Sequence, residues 1–375
     1  MPQVVKLSLG ADQRLPWGMV ASLDGGFAYG LHSLYITDVN LGAPVGTLSG
    51  EGGRVMYGTI SGTSAAKALP SVTPGVIDPD FAPVLRNGNH SGDRTYSLTA
   101  QVEKRFAAGM EVNAAYTYTD ARDFLSLRDA QSVSNYGFAP LSGTLADRTL
   151  GTSTYDVPHK ITVSGTANLP YDFSVSLIYI GRSGDPYSYV VNGDANADGV
   201  GNRTGTFDRQ LNDMVYVPSG PGDISLVRDV PAIGGGTTLG PATSAAYDSL
   251  AAFIASDPCL RAHRGSLLPR NACRNPWQNL FNARVARRIA VAGGQSIELS
   301  LDAINVLHLL NRSWGNVYET GTLAGAGTEN VPLFRLRGQD IANSRNSYEL
   351  TFPERNVANP ILSRWQLQLG VKYGF

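Results

Sequence analysis

The chain has 375 residues, 42% of them hydrophobic and only 16% charged, with 30 Lys+Arg against 31 Asp+Glu for a net charge of −1. A charged share well below the usual quarter implies that much of the surface meets something other than water, and the balanced charge with no basic stripe excludes nucleic acid as a partner. No run approaches the ~20 apolar residues a membrane-spanning helix needs, so if this chain crosses a bilayer it does so with strands closed into a barrel.

Period-two alternation of apolar residues, the mark of a strand with one buried face, begins almost at once. Val5, Leu7 and Leu9 share a face, and after a short turn at 12 to 16 so do Trp17, Met19, Ala21 and Leu23. A long Gly/Pro/Asn-rich stretch near 40 to 90 precedes Tyr96, Leu98, Ala100 and Val102; a turn at 105 to 109 leads to Met110, Val112, Ala114, Tyr116 and Tyr118. A second long stretch, 122 to 155, precedes Ile161, Val163, Gly165, Ala167 and Leu169, and a turn at 170 to 172 leads to Phe173, Val175, Leu177 and Tyr179. The third and longest, 182 to 276, is followed by a noisier strand with Phe281, Ala283, Val285 and Ile289 interrupted by Arg287. A turn at 292 to 294 leads to Ile297, Leu299, Leu301 and Ala303; a fourth long stretch, 308 to 360, precedes Trp365, Leu367, Leu369, Val371, Tyr373 and Phe375. Ten steps from Trp365 to Phe375 climb ~24 Å at a 45° tilt, close to the ~25 Å apolar band of an outer-membrane barrel.

Short turns alternate strictly with long segments, the pattern of a barrel with periplasmic turns and extracellular loops. The expected fold is therefore all-β: an antiparallel transmembrane β-barrel in a Gram-negative outer membrane. Residues 1–375 supply nine strands of it, and 182–276 form a long extracellular loop region. Bacterial single-chain barrels carry an even number of strands. The odd count, strand-like sequence from the first residues and no visible export signal predict that further strands lie outside this chain.

Four stretches, YSLTAQVEKRFAAGMEVNAAYTYTDARD, YDVPHKITVSGTANLPY, RGSLLPRNACRNPWQNLFNARVARR and SRWQLQLGVKYGF, resemble TonB-dependent outer-membrane receptors, within them the Oar-like group. The resemblance covers most of the chain and implies active uptake of a scarce nutrient through a barrel normally occluded by an amino-terminal plug. The plug would contact the TonB complex of the inner membrane; neither it nor its TonB-contacting segment is recognisable in these 375 residues. Phe375, ending an alternating strand, is similar to the signal read by the barrel assembly machinery. Outer-membrane lipid and a nutrient ligand complete the expected partners. The Oar-like group also resembles adhesion and social-motility proteins, so a surface adhesin or structural barrel is the alternative.

The sharpest local motif is NGDANADGVGN, in which Asp194, Asn196, Asp198 and Gly199 match positions 1, 3, 5 and 6 of a calcium loop. The twelfth position is Gly205, so a ligand such as Asp208 or Asp213 would have to complete the shell. The rival reading is an Asx-rich loop that caps its own backbone and needs no metal; no other cofactor is expected. Cys259 and Cys273 read as one local disulfide in an oxidising compartment. His32, His90, His159, His263 and His308 are dispersed, with no pair at metal spacing, and no Ser or Asp sits in a nucleophile elbow, so no enzyme activity is expected. Arg284 and Arg288 share the face opposite Phe281, Ala283 and Ile289. That favours the lumen, within reach of plug carboxylates, over the headgroup level, where they would meet lipid phosphates.

Overall fold

The computed structural model describes residues 1–62, 69–106, 109–201, 211–320 and 330–375. Its main sheet carries nine long strands in sequence order: β1 (Gln3–Leu15), β2 (Met19–Asp38), β3 (Arg94–Arg105), β4 (Glu111–Asp123), β5 (His159–Leu169), β6 (Phe173–Arg182), β7 (Gln278–Ala290), β8 (Ser296–Ile304) and β9 (Gln366–Gly374). Every neighbouring pair is antiparallel, with register partners such as Leu9↔Gly25, Leu98↔Tyr118, Val163↔Tyr179 and Leu301↔Leu369. Among the described residues β1 and β9 each pair on one edge only. No described helix is long and apolar enough to cross a membrane.

The apolar face of this sheet is not a protein core. Leu9 is 82% exposed, Leu369 83% and Val371 76%, which in water would be a severe cost for side chains worth ~1.5–3 kcal/mol each on full burial. Hydrocarbon removes that cost. The first turn sits at Pro16–Gly18, later than the sequence pattern suggested, and Trp17 lies inside it at φ 63° rather than on a strand. Fully exposed there, Trp17 joins Tyr171 and Phe375 at the short-turn rim as interfacial aromatics.

β2 is 20 residues long, ~46 Å of height at 45° tilt, nearly twice the apolar band. Its upper half stands clear of the membrane, where the segment Leu85–His90 pairs with it. The long connections are not open loops. They fold together above the strands into a cap built on a six-stranded mixed sheet, in order Thr237–Pro241, Ser225–Pro231, Arg345–Leu350, Asn330–Asp340, Pro186–Asn192 and Cys273–Arg274. Here lies the true core: Tyr189, Val190, Val191, Val215, Ile224, Leu260, Val331 and Leu336 are 0–1% exposed. The helix Ser244–Ser256 contributes Leu250 and Ile254 to it.

Candidate functional site

All four long connections meet around the acidic turn, with Arg54, Arg148 and Asn346 reaching it from the other three. Asp194, Asn196, Asp198 and Asp213 are all at most 5% exposed. Within the turn the Asp198 N–H donates to Asp194 Oδ1 at 3.0 Å and to Asn196 Oδ1 at 3.1 Å, the Gly199 N–H to Asp194 Oδ2 at 2.8 Å, and the Val200 N–H to Asp198 Oδ1 at 3.0 Å. Asp213 reaches in from the next segment to accept the Ala195 N–H at 2.6 Å. These are the bonds of a self-capped Asx turn, with Gly199 at φ 90° making the sharp bend.

What the capping does not settle is charge. Burial, then the neighbouring Asp198 and Asp213, hold Asp194 well above the usual carboxylate range. Burial and Asp213 push Asp198 up to about 8, and burial pushes Asp213 up to about 6 against the pull of Arg54. Arg54 is already engaged: its Nε donates to Glu51 Oε2 at 2.8 Å and its Nη2 to the Met214 carbonyl at 2.9 Å. Arg148, 2% exposed, lies within electrostatic reach of Asp198 but makes no ion pair with it, and among the described residues none of its guanidinium nitrogens has a hydrogen-bond partner. Burial lowers it to about 10. Among the described residues no three His, Cys, Asp or Glu side chains are placed to hold a metal ion together. Gly205 and Asp208 lie outside the described residues.

A cavity of about 320 Å³ opens beside this turn, lined by Arg54, Leu141, Ser142, Thr149, Asn196, Met214 and Leu268 among others. It is walled by three connections at once and carries hydroxyls, an amide and aliphatic groups, with no acid. Elsewhere, buried polar residues lock connection to connection. Asn346 N–H and Tyr348 O–H both donate to Glu51, at 2.7 and 2.8 Å, and Asn330 Nδ2 donates to the Leu211 and Phe138 carbonyls at 2.6 and 2.7 Å. Arg270 pairs at 2.6 Å with Asp123 at the top of β4, and Arg274 at 2.7 Å with Asp156 just before β5, tying the cap to the top of the wall. No sequence pattern pointed to these ties, because each joins segments far apart in the chain.

Cys259 and Cys273 are bonded, with Cα atoms 5.3 Å apart. The bridge pins the short helix Pro258–Ala262 to the edge of the cap sheet. The histidines remain apart: His159 Nδ1 meets Tyr116 Oη at 2.8 Å, His263 Nδ1 the Cys259 carbonyl at 2.8 Å, and His90 packs on Phe124. Arg284 sits on the inner face, where it pairs with Glu298 and Asp302 of β8 at 3.1 and 3.0 Å. Its carboxylates thus come from the adjacent strand. Arg287 stands on the outer face at the short-turn rim over the Phe173 ring.

A strictly antiparallel, sequentially connected sheet with an apolar outer face, short turns at one end and a folded cap at the other defines a membrane-spanning β-barrel protein. A family model described as the outer membrane beta barrel domain matches residues 1–328. The chain belongs to that family, and its place is the outer membrane of a Gram-negative bacterium. No curated protein and no solved structure matches it.

Proposed function

We propose that the chain is the carboxy-terminal barrel portion of a TonB-dependent active-uptake receptor of the Oar-like group. The observation that carries this reading is the direction of the two edge strands, each paired on one side only among the described residues. β1 and β9 both run from the cap toward the short turns, because seven strands alternate between them. Joining them directly would make a parallel pair, which antiparallel outer-membrane barrels do not use. An odd number of further strands completes the wall, and about 13 of them would give the 22-stranded size whose lumen carries a plug. The cap cavity is then the outer vestibule for a nutrient, and the missing plug is the partner of the TonB complex. The same reading assigns calcium to Asp194, Asn196 and Asp198, with Asp213 beside them.

The adhesin alternative draws on one feature, the ordered tip at Ile77 and Phe81. Both are exposed, and the tip is fixed by Asn40, whose Nδ2 donates to the Asp78 and Phe81 carbonyls at 3.0 and 3.1 Å. The two readings part in the host. Deleting the gene and, separately, inactivating TonB should leave the same solute unconsumed in spent medium. If the gene deletion changes cell attachment and depletes the medium like the parent, uptake is refuted and adhesion stands.

A further inference from the structure

Two arginines face each other across β3 and β4 on the outer wall. Arg94 and Arg122 are direct register partners. Both are exposed and fall on the side of Tyr96, Leu98, Tyr116 and Tyr118, the lipid-facing side. Each stands eleven residues above its short turn, Arg94 above Arg105 and Arg122 above Glu111. At ~3.4 Å per step and 45° tilt that is ~26 Å, the upper edge of the ~25 Å apolar band.

Like charges directly opposite one another destabilise a strand pair. Here a single acid answers them: Arg122 Nε donates to Asp120 Oδ1 at 3.0 Å, while Arg94 has no ion pair among the described residues. Neighbouring acids turn to the opposite face, where Asp93 accepts the Phe124 N–H and Asp123 binds Arg270, Ser126 and Ser153. Tyr29 lies beside Arg94 and Tyr96 opposite Asp120, so an aromatic girdle borders the pair. Two planar guanidinium forks above aromatic rings, at headgroup level, suit a multidentate oxyanion attached to an acyl body.

We infer that Arg94 and Arg122 form a binding site for a phosphate of the outer-leaflet glycolipid. The site is continuous with the lipid-facing belt below it, which receives the acyl chains, and the excess positive charge is matched by the lipid phosphate. The inference rests on the orientation that puts the cap outside the cell. Protease cleavage of the cap on intact cells checks that orientation separately.

The test uses the full chain refolded in detergent micelles, with diphosphorylated lipid A as probe, and dephosphorylated lipid A, phosphatidylglycerol and inorganic phosphate as comparison arms. Native mass spectrometry should show diphosphorylated lipid A retained in preference to the other three. Arg94→Gln, which breaks no ion pair among the described residues, should weaken retention about tenfold, the scale of one charge-assisted contact. Arg94→Lys should keep part of it, and Arg287→Gln at the opposite rim should leave it unchanged. Equal retention by Arg94→Gln and the parent, an equal loss in Arg287→Gln, or equal binding of phosphatidylglycerol would each overturn the assignment.

Discussion

Asp198 donates its backbone N–H to the Asp194 carboxylate at 3.0 Å while its own carboxylate is buried beside it. The turn thus satisfies its hydrogen bonds and concentrates negative charge in one place. A carboxyl whose affinity for protons is raised by folding gives up that proton when the cap unfolds, so folding is favoured by acid. Stability from these groups is complete below the ordinary carboxylate range, near pH 4. It is lost as pH climbs through about 6 for Asp213 and about 8 for Asp198. Limited proteolysis of the metal-free protein should show the cap more resistant at pH 5 than at pH 8. Asp198→Asn should flatten that dependence; an unchanged profile would mean the charge is relieved another way.

Calcium is expected to take over the role of the protons at neutral pH, since a hard cation accepts oxygen ligands from closely spaced carboxylates. Adding calcium at pH 7.5 should protect residues 182–276 from external protease and should show heat of binding by calorimetry. Both effects should vanish in Asp194→Ala/Asp198→Ala. If calcium leaves the wild-type cleavage pattern unchanged, the turn is self-capped and nothing more.

The nine strands were legible because lipid on one side and a lumen on the other impose the simplest pattern a strand can carry. Leu367, Leu369 and Val371 alternate with Gln366, Gln368 and Gly370, and the structure puts them where that alternation says. The cap was not legible. Pro186–Asn192 is buried along almost its whole length, so its residues show no alternation, and its parallel partner Asn330–Asp340 lies far along the chain. The Asp194 motif was visible as a local spacing. Its burial beside Arg54, Asn346 and Arg148 was not, since those residues come from other connections.

Glu51 holds that junction together. It is 0% exposed and accepts from Arg54, Asn346 and Tyr348. Glu51→Ala leaves a buried guanidinium unpaired, for which ~3–5 kcal/mol of destabilisation is expected. The loss should appear in protease sensitivity of the cap, with the barrel strands still migrating as folded on a heat-modifiability gel. A Glu51→Ala cap as resistant as the parent would show that water replaces the carboxylate.

Reducing the Cys259–Cys273 bridge releases a short loop, with 14 residues of sequence separation, worth ~3 kcal/mol on the chain-entropy estimate. Both cysteines lie outside the nine-stranded sheet. Reductant should therefore speed proteolysis near the Pro258–Ala262 helix and leave heat-modifiability intact. Peptide mapping of exported protein should find the two residues joined. Recovery of both as alkylatable thiols would remove the bridge from the account.

The last strand carries the most exposed prediction. Among the described residues β9 pairs with β8 alone, over the register Ile304↔Gln366 to Ser296↔Gly374, and Phe375 follows it fully exposed. Nothing in the cap or the short turns buries that side chain, so its packing contributes little to the stability of this sheet. The role expected for this exposed aromatic on an alternating strand is a step before membrane insertion, in which the barrel assembly machinery would bind it. Phe375→Ser should leave the refolded protein in detergent as stable as the parent, yet lower the amount reaching the outer membrane severalfold, with the remainder degraded in the periplasm. Removing Gln366–Phe375 should abolish both, because β8 then presents an unpaired edge to lipid, where each unsatisfied backbone group costs several kcal/mol. Fractionation with a heat-modifiability gel separates the two effects: normal outer-membrane levels of Phe375→Ser would refute the assembly role while leaving the strand's structural role in place.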